Sequence, residues 1–306
     1  MNPLRTRAGE YLAMRRSLGY KLQADERLLA GFISHLEREG HATITTRAAL
    51  EWATRPAGAA PGWHRRRLSV VRCFARHLAA YDPACEVPPA RLLPARESRI
   101  TPYLYSPAEI AALIHAAGLL ARPLLAATYQ ALISLLAVSG LRIGEALALR
   151  RGDVALDIGM LTVTGKSGKV RLVPLHPSTT AMLGDYAVRR DRLCPGARCP
   201  EFFINTAGNR VRVKDADVTF ARLLALAGVH PPPGRRRPRI HDIRHTFVLN
   251  TFLRWYRDGA DVAASLPVLS TFLGHASPAS TWWYQQAAPE LLALAAQRLQ
   301  PLQEGS

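Results

Sequence analysis

The stretch DPACEVPPARLLPARESRITPYLYSP, residues 82–107, limits the fold more than any other part of the 306-residue chain. Its prolines remove backbone donors and push the residues before them out of the helical region, so no long helix or paired strand runs through it. Arginines are interspersed and no hydrophobic period survives, so the stretch reads as an extended basic linker. A chain of this length is expected to build two cores on either side of such a segment, with the boundary between residues 97 and 98.

Upstream, apolar positions recur at helical spacing in EYLAMRRSLGY and ADERLLAGFISHLEREG, and Gly40 and Gly58 stand where helices stop. TTRAALEWATR begins with a threonine suited to a cap, and PGWHRRRLSVVRCFARHLAAY begins with a proline suited to a first turn. The pattern predicts four helices over residues 3–81. On the last, Leu68, Val71, Phe74 and Leu78 form an apolar stripe. Arg65, Arg72 and Arg76 fall on roughly the opposite side, a face either solvated or turned toward a polyanion.

Downstream, SPAEIAALIHAAG opens with a capping box from Ser106 to Glu109, and two further helical stretches follow. The period then changes. In GMLTVTGKSGKVRLVPL, β-branched residues flank a Gly-Lys-Ser-Gly-Lys turn, which predicts a hairpin with a basic tip. From about residue 177 helical patterning returns, broken near 194–212 and at HPPPGRRRPR. The expected class is mainly α with a small β-sheet: a helical first domain over 1–97 and an α-rich second domain over 98–306.

Forty Lys and Arg against 23 Asp and Glu give a formal charge of +17, shared by both halves, which points to nucleic acid as the partner. Only four of the cations are lysines (Lys21, Lys166, Lys169, Lys214), so a lysine at a hairpin tip carries weight. LLAATYQALISLLAVSG contains Thr, Tyr, Gln and Ser and reads as a buried helix rather than a membrane span. The N-terminus is interrupted by charge and is not a secretory signal. Of four cysteines only Cys194 and Cys199 are close, which provides neither a disulfide framework nor a second ligand pair for zinc. A cytoplasmic, reduced protein without membrane attachment or metal is expected.

Chemistry is concentrated in four stretches of the second domain. SGLRIGEALAL sets Arg142 and Glu145 three apart, where a carboxylate can orient a guanidinium. TGKSGKVRLVPL carries Lys166 at the hairpin tip, and HDIRHTF brings His241, Arg244 and His245 onto neighbouring helical positions. LGHASPASTWWYQQ holds His275 and Tyr284 nine positions apart, with Trp282 and Trp283 beside the tyrosine. Taken singly, these are a helix salt bridge, an exposed turn, a polar helix face and a packed aromatic.

Taken in order, they resemble the tyrosine recombinases, the phage-integrase and Xer-like family, over most of residues 100–290. The resemblance implies a helical core-binding (SAM-like) DNA-binding domain over 1–97 and a catalytic domain over 98–306 that ends in a tail helix within 288–306. It implies a catalytic set of Arg142, Lys166, His241, Arg244 and His275, with Tyr284 as nucleophile and Glu145 in support. Two always-charged planar forks would stabilise the charge that builds on the phosphate oxygens. His241 is the candidate base, Lys166 the candidate acid, and His275 a phosphate-oxygen donor. Energy stored in a covalent 3′-phosphotyrosine would allow rejoining without ATP, metal or cofactor. The implied partners are double-stranded DNA with an inverted-repeat core site, three further copies in a tetramer on paired sites, and an accessory or sister recombinase. Trp282 and Trp283 depart from the smaller or polar residues usual before the tyrosine.

Three other readings compete. A type IB topoisomerase shares the chemistry, but relaxation of DNA would not require a paired-site assembly. A metal hydrolase would use the two histidines of HDIRH, but the motif lacks the zinc-protease glutamate and Arg244 would repel a cation. A catalytically silent, sequence-specific DNA-binding protein of the same fold would need only the charge and the clamp.

Overall fold

A computed structural model of the chain describes residues 3–94, 102–165, 168–231, 234 and 236–274. Contacts divide the chain into two compact units, Met1–Arg99 and Ile100–Ser306. Lys166, His275, Tyr284, the two tryptophans before it and the tail over 288–306 lie outside the described residues.

The first unit is built from α1 (Pro3–Ser17), α2 (Gln23–Arg38), α3 (Thr46–Thr54) and α4 (Pro61–Leu78). Thr45 caps α3, its hydroxyl accepting from the Ala48 N–H at 3.2 Å, and Pro61 opens α4. The α4 stripe of Leu68, Val71, Phe74 and Leu78 is buried against Leu29, Phe32, Leu36 and Ala49. Burial of each large side chain contributes about 1.5–3 kcal/mol.

The expected free linker is corrected over its first half. Cys85 is buried in the core of this unit, and the Glu86 N–H donates to the Ile44 carbonyl at 2.8 Å. Arg72 is likewise not a free cation on the basic face of α4. Its Nε donates to the Pro88 carbonyl at 2.7 Å and its Nη2 to the Pro89 carbonyl at 2.8 Å. Proline-rich backbone makes no ladder of its own, so its carbonyls take donors from a neighbouring side chain.

In the second unit, α5 (Pro107–Gly118) begins with the expected box: the Glu109 N–H donates to Ser106 Oγ and the Ser106 N–H to the Glu109 carboxylate. Helix α6 (Pro123–Ser139) is apolar on nearly every side and runs through the middle of the core. The next helix, α7 (Ile143–Ala146), is one turn long, because Leu147 and Leu149 turn inward and the chain enters a sheet.

Strands β1 (Val154–Ala155), β2 (Met160–Thr164) and β3 (Val170–Pro174) pair antiparallel in that order. The hairpin of β2 and β3 is the expected one; β1, at two residues, carries no readable period. Leu161, Val163 and Val173 are buried, while Val170 and Leu172 are exposed. Then follow α8 (Pro177–Leu193), α9 (Val213–Leu226), α10 (Asp242–Arg257) and α11 (Val262–Leu273). The last two share a small core of Val248, Phe252, Leu266, Leu269 and Leu273. Among the described residues no helix is long and apolar enough to cross a membrane.

Candidate active site

Three segments distant in sequence meet at the C-terminal end of α11. The first is the turn after α6, where Gly140 adopts φ +59° and frees its carbonyl. A Cβ at this position would lie 2.4 Å from the Phe247 ring, so glycine is required both by the left-handed backbone and by the approach of α10. The second segment is the first turn of α10, which carries Arg244. The third is the last turn of α11, whose carbonyls lack helical partners and carry the negative end of the helix dipole.

Arg244 is 2% exposed, and its guanidinium bridges two of these segments. Nη1 donates to the Gly140 carbonyl at 2.7 Å and Nη2 to the Leu273 carbonyl at 2.8 Å. Arg142 stands at the N-cap of α7. Its Nη1 lies 2.8 Å from Glu145 Oε1 and 3.4 Å from the same Leu273 carbonyl, while Nη2 donates to the Gly274 carbonyl at 3.3 Å. Two guanidinium groups thus converge on a single oxygen. The pairing of Arg142 with Glu145 is the expected one, though not as two positions on one helix face: Glu145 also accepts the backbone N–H of Arg142, at 3.1 Å, and so fixes the residue before the helix starts.

Arg171 completes the group and was not among the residues singled out from sequence. Its Nη2 donates to Glu145 Oε2 at 2.8 Å and its Nε to the Phe272 carbonyl at 2.8 Å. The signal was present in KVRLVPL, where strand alternation places Arg171 on the same face as buried Val173. An inward arginine needs a partner. Burial pushes the Glu145 carboxyl up, but the hydrogen bond and charge of Arg171, and then the side-chain and backbone hydrogen bonds of Arg142, more than offset this and hold it below the usual carboxylate value.

His241 precedes α10 and lies 5.0 Å from His245, ring centroid to ring centroid and edge to face. Burial first, then the charges of Arg244 and Arg239, lower the His241 pKa against a smaller opposing effect of Asp242. Burial, then His241, lowers that of His245 to about 4. Both imidazoles are therefore neutral at pH 7, the state in which a ring nitrogen accepts a proton. The turn carrying them is pinned: Asp242, 1% exposed, accepts the Arg239 N–H at 2.8 Å, and the Tyr105 hydroxyl donates to the Arg239 carbonyl at 3.0 Å.

The structure thus brings together Arg142, His241 and Arg244, with Glu145 and Arg171 behind them. The hairpin that carries Lys166 is closed by the Gly165 N–H on the Lys169 carbonyl at 2.8 Å. Among the described residues no group of three His, Cys, Asp or Glu could hold a metal ion.

Comparison with known proteins supplies an independent line. The profile of the phage integrase family matches residues 105–290. The chain is 45% identical over 309 aligned positions to the integrase/recombinase candidate y4rB of Sinorhizobium fredii, covering 98% of each. It is 33% identical to the tyrosine recombinase XerD of Caulobacter vibrioides, covering 80% of this chain and 77% of that one. Among solved structures, the Tn1549 transposon integrase in complex with transposon right end DNA has a similar fold, with a TM-score of 0.68 over 97% of this chain and 98% of that one at 16% identity.

Proposed function

Since the chain belongs to the phage integrase family of tyrosine recombinases, we propose that it is a site-specific DNA recombinase that cuts and rejoins strands through a covalent 3′-phosphotyrosine. The observation that carries this reading is the convergence of Arg142 and Arg244 on the Leu273 carbonyl. Two guanidinium groups within reach of one oxygen have the spacing needed to hold the non-bridging oxygens of a phosphodiester. Their charge persists through the reaction and grows in worth as the phosphorus gains negative charge in the transition state.

In the proposed step, the phenol oxygen of Tyr284 bonds to phosphorus and the bond to the 5′ oxygen breaks. The phenol proton passes to His241, whose imidazole is neutral, and Lys166 protonates the departing 5′ oxygen. His275 donates to a phosphate oxygen. Because a phosphodiester is exchanged for a phosphotyrosine of similar energy, a second strand end reverses the step without ATP or metal. Residues 1–97 and 98–306 are proposed as core-binding and catalytic domains, each of which contacts the duplex. Four copies on two inverted-repeat sites would then exchange strands.

The test is a nicked duplex of the protein's own site, incubated with the full chain in EDTA and resolved under denaturing conditions. The unaltered chain is expected to give a DNA-linked band that Tyr284→Phe does not form. Persistence of the band in that variant would overturn the nucleophile, and its absence from the unaltered chain would leave a DNA-binding protein without strand transfer.

A further inference from the structure

Glu145 is an unusual partner for Arg142, because its side chain is only 6% exposed and it serves two guanidinium groups at once. A buried carboxylate must be compensated, and a single partner meeting that demand would be held by both oxygens. Arg171 supplies most of the compensation. Its side chain is 11% exposed, it comes from the second position of β3 opposite Val163, and its Nε is held at the same time by the Phe272 carbonyl at 2.8 Å. It is also packed against the end of α11: a Cβ on Gly274 would lie 2.8 Å from its Nη1.

Arg142 is placed differently. Its side chain is 36% exposed, and it gives Glu145 one Nη1 donor. Its Nη2 reaches the Gly274 carbonyl at 3.3 Å, longer than a strong N–H···O bond.

We propose that Arg171 is a positioning residue for Arg142: by saturating Glu145 it keeps that carboxylate from gripping the Arg142 fork on both edges, and so leaves the outer edge of Arg142 for the scissile phosphate. This rests on the recombinase reading above. Arg171 touches no substrate in it; the inward side chain acts through Glu145. Lysine does not substitute, since one ammonium is a point donor and cannot span a carboxylate and a carbonyl as a planar fork does.

The experiment uses the full chain carrying Arg171→Lys, Glu145→Gln or both, and reads single-turnover cleavage of the nicked duplex, DNA affinity and the urea midpoint. Arg171→Lys is expected to bind DNA as the unaltered chain does yet cleave about 100-fold more slowly, the scale of a small misplacement at the reacting centre. Adding Glu145→Gln should then recover part of the lost rate, because the charge that over-holds Arg142 is gone. A role in stability alone predicts the opposite, a further fall in the double variant, and that result overturns the proposal. So does a lysine variant that cleaves like the unaltered chain. If the lysine variant does not fold, Arg171→Gln alone and with Glu145→Gln makes the same comparison. An unaltered chain that forms no covalent product removes the recombinase reading and this inference together; a cleaving one with no recovery in the double variant removes the inference only.

Discussion

Arginines on α4 and arginines around the end of α11 are the same residue type in the same basic chain, and they do different things. On α4, Arg66 pairs with Asp25 at the surface and Arg67 lies over the Trp52 ring at 3.6 Å while donating to the Trp52 carbonyl. Arg72 holds the proline carbonyls of residues 88 and 89. Each meets its own acceptor. At the end of α11, Arg142 and Arg244 share one carbonyl, and Arg142 and Arg171 share one carboxylate. Net charge draws a polyanion to either region, but only a set of donors fixed around common acceptors presents a preformed clamp to a single phosphate.

Arg244→Ala should separate the two regions most. Cleavage of bound DNA is expected to fall about 1000-fold, as on removal of a preorganised transition-state donor, with DNA affinity little changed. Loss of donors to the Gly140 and Leu273 carbonyls should also destabilise the second unit by about 2–5 kcal/mol, read by urea unfolding. Strong loss of DNA binding with normal cleavage of what remains bound would break the distinction.

A smaller effect is expected from pH. The folded pKa of His245 is depressed to about 4, so its contribution to stability is whole above the unfolded value near 6.5 and drains away as pH falls toward 4. With allowance for solvent screening the loss should reach about 2 kcal/mol across that window, and His245→Gln should flatten it. A slope unchanged in the variant would assign it to other groups.

The smallest effect belongs to α4. Arg66 and Asp25 have side chains 49% and 20% exposed, and Arg66→Ala should change stability by less than about 1 kcal/mol while leaving cleavage of bound DNA as it was. A cleavage defect in this variant comparable to that of Arg244→Ala would make surface charge, not the shared acceptors, the source of activity.

What the sequence alone determined is what neighbouring residues decide among themselves. The Thr45 cap, the box at Ser106 and Glu109, the α4 stripe and the β2–β3 hairpin all depend on residues within a turn or two of one another, and each was legible. The pairing of Arg142 with Glu145 was legible for the same reason. Only tertiary structure decided that Arg244 reaches back to Gly140, that Arg171 shares a carboxylate 26 positions away, and that residues 82–94 dock on the first unit instead of spanning free. Sequence states how many donors a side chain carries; which acceptors meet them is set when helices and strands pack, because a buried arginine must be satisfied by whatever oxygens that packing brings within about 3 Å.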